Sequence, residues 1–206
     1  MSLGLGVAGI QNTADGGLGN TIRLGQQADQ IVSELHGRYY EQTVRGKMFS
    51  VHTQGTAVTT TAALATTWTG LGIANAAASG VNLVVNKFSA VQFAVGAAAT
   101  IGIMGGVGVL AASLTVQSRN IGSGTAAATT TTASAGATIS TPLLIQTFGS
   151  LGSVATTSYG LENGIYVDLE GSIIVPPGSF IASYTSIVTT SALQFGFCWE
   201  EVPILR

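Results

Sequence analysis

The residues able to do acid–base, nucleophilic or metal chemistry are few and scattered. The 206-residue chain has two histidines, His36 and His52, one cysteine, Cys198, and nine carboxylates. A structural zinc site needs a closely spaced set of Cys, His or carboxylate ligands. This inventory cannot build one, so no metal is expected. A serine nucleophile needs a base that a third group holds in place. Serines are plentiful, but only His36 and His52 offer a base, and no Gly-x-Ser-x-Gly elbow occurs. Cys198 sits in the apolar run Phe195–Trp199, where a buried, inert thiol is expected. Asp168 and Glu170, two apart, would share a strand face and have the residue types of a glycosidase pair. Two solvated acids beside a turn are the simpler reading. Gly4-Leu5-Gly6-Val7-Ala8-Gly9 matches the dinucleotide fingerprint, with Asp29 about 20 residues on. Only three residues precede it, and Asn12–Gly17 does not sustain the helix that should hold the pyrophosphate. Gly106–Ala111 repeats the pattern with no acid before Glu162 to grip a ribose. No cofactor and no catalysis are expected.

The elements around these residues carry a clearer signal, which is a lack of charge. Between Ser50 and Leu161 only Lys87 and Arg119 are charged, and the whole chain is 8% charged against about 25% in ordinary soluble proteins. Such a chain should associate, its surface covered by neighbours. The net charge of −2 provides no basic field for the phosphates of a nucleic acid. A single cysteine excludes an internal disulfide framework. Met1–Asn12 lacks the Lys/Arg of a secretory signal, so synthesis in a cytoplasm is expected. Val91–Val116 is uncharged and long enough to span a bilayer. It is rich in Ala and Gly, however, and reads better as two buried strands joined at Gly105-Gly106. No membrane partner is expected.

Composition divides the chain into residues 1–47, an arm and a charged segment, and residues 48–206, a β domain. Residues 1–24 are polar and Gly-rich and read as an extended arm. In residues 25–47, Ile31, Leu35 and Tyr39 recur every four residues, which suits a short helix. Glu34–Arg38 and Glu41–Arg45 are i,i+4 pairs in the favourable order, while Gly37 counts against an unbroken helix. From Met48 onward β-branched and alternating stretches dominate. Asn82–Val95 alternates, with Leu83, Val85, Val91, Phe93 and Val95 on one parity and Asn86 and Gln92 on the other. Residues 121–136 are of low complexity and read as a surface loop. Thr138–Phe148, Ile165–Leu169, Ser172–Val175, Ser179–Tyr184 and Ala192–Trp199 read as strands. Ser79-Gly80, Glu162-Asn163-Gly164 and Pro176-Pro177-Gly178 punctuate them as turns. Short strands without intervening amphipathic helices predict an all-β, antiparallel sandwich or jelly roll.

Val167-Asp168-Leu169-Glu170-Gly171-Ser172-Ile173-Ile174-Val175-Pro176-Pro177-Gly178, with the ending Phe197-Cys198-Trp199-Glu200-Glu201-Val202-Pro203, resembles the jelly-roll decoration (cement) proteins of tailed-phage heads. His36–Glu41, Arg45-Gly46, Phe49 and Ser79–Val85 resemble the same family. The resemblance implies a homotrimer standing on the phage head and gripping the major capsid protein through an N-terminal segment. It places the chain in the virion, on the capsid surface, as a structural protein. Arg38-Tyr39-Tyr40 is the most interface-like tripeptide, because Tyr and Arg cover much area while keeping a polar tip. With Arg23 and Trp199 it forms the candidate set for capsid or subunit contacts. A receptor- or glycan-binding knob on a head fibre or tail is the alternative function.

Overall fold

Eleven strands, one short helix and a single 3-10 turn make up the regular structure of the described residues. The computed structural model describes residues 37–53, 58–61, 64–92, 94, 97–123, 129–152 and 164–204. The chain divides into two units, Met1–Tyr40 and Glu41–Arg206. Of the first, residues 37–40 are described. Helix α1, Tyr40–Val44, is one turn long. The expected Glu41–Arg45 pair is present at 2.8 Å. Ile31, Glu34 and Leu35 lie outside the described residues.

The strands are β1 Met48–His52, β2 Val58–Thr60, β3 Thr67–Asn75, β4 Val81–Gln92, β5 Ala99–Val107, β6 Gln117–Ser118, β7 Thr131–Thr138, β8 Leu143–Leu151, β9 Gly164–Val175, β10 Ser179–Thr185 and β11 Thr189–Pro203. They form two antiparallel sheets. The first runs β6-β1-β11-β4-β9, with β2 also on β11; the second runs β7-β3-β10-β5-β8. Inward side chains of both sheets meet in one core. Phe49, Phe88, Phe195, Phe197 and Trp199 come from the first sheet, and Leu71, Ile73, Ile101, Ile103 and Ile181 from the second. Phe88 is its aromatic hub, with ring centroids 5.1 Å from Phe197 and 5.4 Å from Phe148. The protein is an all-β sandwich, as the strand pattern predicts. The turns expected at Ser79-Gly80 and Pro176-Pro177-Gly178 separate β3 from β4 and β9 from β10.

Five sequence expectations are corrected, each for a local reason. The strand expected over Thr138–Phe148 is broken at 139–142, where Pro142 has no N–H for a ladder, so Thr138 ends β7 and Leu143 opens β8. On β4, Leu83 and Val85 are buried, but so are Asn86, Phe88, Ala90 and Gln92, while Val91 is exposed. Val85 and Lys87 oppose Trp199 and Cys198 on β11, so Asn86 is an extra residue with no partner there. Such a bulge moves all later side chains to the opposite face. Phe93 and Val95 lie outside the described residues.

The segments Ile165–Leu169 and Ser172–Val175 are one strand, β9, kinked at Glu170 and Gly171, whose φ angles are 51° and 76°. Gly105-Gly106 is not a turn, because β5 runs straight through it. A Cβ on Gly105 would lie 2.8 Å from both the Phe180 carbonyl oxygen and Ile145 Cδ1, so glycine here permits close packing. Residues 131–136 are strand, not loop, because β7 pairs along β3. The Asn163 turn lies outside the described residues.

The outer face of the second sheet carries a small core of its own: Trp68, Met104, Phe180 and Ala182, capped by Leu110 and Ile139. The Trp68 indole lies over Gly70 and Gly72, where added Cβ atoms would come within 2.8 and 3.1 Å of the ring. Its N–H donates to the Ser183 carbonyl at 3.1 Å. Gly70, at φ 152°, supplies the backbone shape that lets the ring fold back onto its own strand.

Candidate association surface

The two sheets differ sharply in charge. None of the five strands of the second sheet contains an Asp, Glu, Lys or Arg. The described connections between 97 and 116, 139 and 142, and 176 and 178 contain none either. In the β body, the described charges are Lys47, Lys87, Arg119, Asp168, Glu170, Glu200 and Glu201, all on or beside strands of the first sheet. There they interlock. Asp168 pairs in register with Lys87, whose Nζ lies 5.4 Å from the centre of the Tyr166 ring. The Asp168 carboxylate also accepts the Glu170 N–H at 3.0 Å. Asp168 and Glu170 thus stand across a kink rather than side by side on a flat strand.

Cys198 is buried in the same face, and burial pushes its thiol pKa up, opposed by the smaller pulls of Arg119 and Lys87. The thiol stays protonated at neutral pH, as its apolar setting implied. Burial, with a smaller effect from Arg119, pushes the His52 imidazole below its usual value. Burial also pushes the Glu200 carboxyl up. Among the described residues no group of three or more His, Cys, Asp or Glu is placed to hold a metal ion. No helix among them is long and apolar enough to cross a membrane.

The sequence-derived contact residues do not gather in one place. Arg23 lies outside the described residues. The Arg38 guanidinium sits 5.3 Å from the centre of the Tyr39 ring, a cation–π geometry. Tyr40, largely exposed, opens α1. Trp199 is a core residue rather than a surface one. It is 0% exposed and stacks on Phe49 at 6.1 Å. It shares the parity of the buried Phe195 and Phe197 on β11, which turns the indole inward, and the indole N–H has no acceptor.

The surface that does stand out was not anticipated. Strand β8, at the end of the second sheet, reads Leu143-Leu144-Ile145-Gln146-Thr147-Phe148-Gly149-Ser150-Leu151 and is exposed on both faces along most of its length. Its outer backbone edge pairs with no other described strand. Leu143 is 70% exposed, and Val107, at the end of neighbouring β5, is 76% exposed. Ile145 and Ile174 are also exposed and line one cavity, and Leu144 and Val109 are exposed close to Ile145 and Val107 in sequence. That cavity, of about 230 Å³, lies between the sheets, lined by Gly105, Ile145, Ile173, Val175, Pro176 and Ile181 among others. Charged residues, Pro or a covering segment normally blunt such an edge, and β8 itself has neither charge nor proline. The opposite edge is treated differently. There Leu114 bridges to Ala133 on β7, and the Ser113 N–H donates to the Ala133 carbonyl. The sequence signal for β8 was the Leu-Leu-Ile triplet, apolar on both parities in a segment with no charge.

Compared with known proteins, the chain matches no family model, no curated protein and no solved structure.

Proposed function

We propose that this chain is a structural subunit that works by association: a decoration protein that forms trimers on the head of a tailed phage and stabilises the shell. One observation carries the reading. A complete five-stranded sheet without a charge ends in an apolar edge that no other described strand covers, the kind of surface that persists when a neighbour covers it. The strand order supports the finer architecture. Taking β1, β3, β4, β5, β8, β9, β10 and β11 as the eight main strands, one sheet runs first-eighth-third-sixth and the other second-seventh-fourth-fifth. That order supports a jelly roll, an architecture common in viral capsid domains.

The mechanism follows from linkage. A protein that binds the assembled shell, and not its free subunits, stabilises the shell by mass action. Several weak footholds on one oligomer add through effective concentration. The charged outer face of the first sheet keeps such a particle soluble. The test is to heat DNA-filled heads with and without the purified protein and to follow DNA release. Heads carrying it should hold their DNA to a higher temperature. Equal release, with the protein shown bound by sedimentation, removes the cement role.

A further inference from the structure

We infer that the β8 edge, with Leu143, Ile145, Val107 and Ile174 around the inter-sheet cavity, is the surface on which one copy of this chain docks against another. This rests on the associative reading above and assigns it to residues.

Three features point to a second copy rather than a different partner. The first is charge. A surface with neither cation nor anion gains nothing from a charged partner, and it penalises one by desolvating that partner's charges. The surface that matches it is neutral and apolar, and this chain carries a whole sheet of that kind. The second is size. Val107, Leu143, Ile145 and Ile174 together expose on the order of 400 Å², within the range of the largest apolar patch on a typical monomer. That is about half of one side of a standard interface, and the β8 backbone edge adds to it. The third is shape. The cavity of about 230 Å³ falls below the range of small-molecule pockets. It suits one or two apolar side chains arriving with a neighbouring strand, whose backbone pairs with the free edge of β8.

The test uses the full-length chain. Sedimentation equilibrium should show an oligomer for the wild type. Leu143→Glu and Val107→Glu should each shift it toward monomer, raising the dissociation constant about 100-fold or more, the penalty of an unpaired carboxylate inside a contact. Gln117→Glu, an equally charged change on the exposed edge of the first sheet, should leave the oligomer intact. Circular dichroism separates lost association from lost fold. A second arm survives a folding failure: a photo-crosslinker on the thiol of Leu143→Cys should join copies covalently, Cys198 being buried.

An oligomer unmoved by both glutamates, or an oligomer that gives no crosslink, overturns the assignment. A wild type that stays monomeric yet binds and stabilises heads overturns this inference and leaves the cement role standing. An oligomer that dissociates as expected but neither binds nor stabilises heads does the reverse.

Discussion

Glu201 offers the sharpest test of how the two sheets are held together. It lies near the end of β11 in the first sheet and is 3% exposed. Its Oε1 accepts hydrogen bonds from the Thr131 hydroxyl at 2.9 Å, the Thr129 hydroxyl at 2.5 Å and the Thr130 N–H at 3.3 Å. These donors belong to the start of β7 in the second sheet, so one carboxylate ties the sheets at that edge. A hydrogen bond to a charged group contributes about 1.5–3 kcal/mol, and a buried donor left without a partner costs about 1–3 kcal/mol. The three bonds share one oxygen and are not additive. Glu201→Ala also relieves the desolvation of a carboxylate. The expected net loss is therefore about 2–4 kcal/mol, a fall in Tm of roughly 5–12 °C for a chain of this length. Glu201→Gln keeps an acceptor oxygen and should lose less than half as much. Thr131→Val removes one donor while keeping the side-chain shape, and its effect should shrink in the Glu201→Ala background by more than about 0.5 kcal/mol. Urea unfolding at one fixed protein concentration is the assay, because assembly itself shifts apparent stability. A Glu201→Ala variant within about 0.5 kcal/mol of wild type, or no coupling to Thr131, refutes the clasp.

Three further outcomes follow from the geometry. Trp199→Ala should destabilise by about 3–5 kcal/mol, whereas Trp199→Phe should lose much less, because the indole N–H it removes has no acceptor; chemical denaturation of the pair checks this. Gly102→Ala should destabilise by about 1–3 kcal/mol, because its Cβ would strike the Gln146 carbonyl of β8, and hydrogen exchange should show β8 loosening first. The Glu200 pKa is raised from 4.5 by burial, so the folded state holds that proton more tightly and stability falls as pH rises above about 4.5. His52 is lowered from 6.5, so the unfolded chain takes up its proton first and stability falls as pH drops below about 6.5. Glu200→Gln and His52→Gln should each remove their own slope from the unfolding midpoint measured between pH 4 and 7.5.

The class of the fold was legible because its signal is local. Alternation, β-branched stretches and Gly/Pro turns mark strands wherever they end, and the turns at Ser79-Gly80 and Pro176–Gly178 fell where expected. Faces were harder to read. The bulge at Asn86 depends on what β11 places opposite it, and nothing within β4 announces it. Trp199 was misplaced although alternation puts Phe195, Phe197 and Trp199 on one face; that this face is the inner one shows only once β11 is set in its sheet. The threonine stretch read as loop because small polar side chains have little to bury. Its order comes from pairing with β3 and, at its start, from Glu201 some 70 residues away.

Among the described residues the two edges of the second sheet are treated differently, as the association proposed for β8 requires. The β7 edge is closed twice, by the bridge from Leu114 and by the Glu201 clasp. At the β8 edge one lysine in place of Gln146 or Thr147, both exposed, would suffice to discourage pairing. The chain has lysines and arginines to place, and its described ones lie on the first sheet or in the segment before it. A nine-residue neutral edge beside a cavity is a hazard to a solitary protein and an asset to one that is finished by its neighbour. The same logic reverses the usual reading of low charge. On the associative reading, the uncharged half is the one a partner would cover, and the charged half is the one that would stay in water.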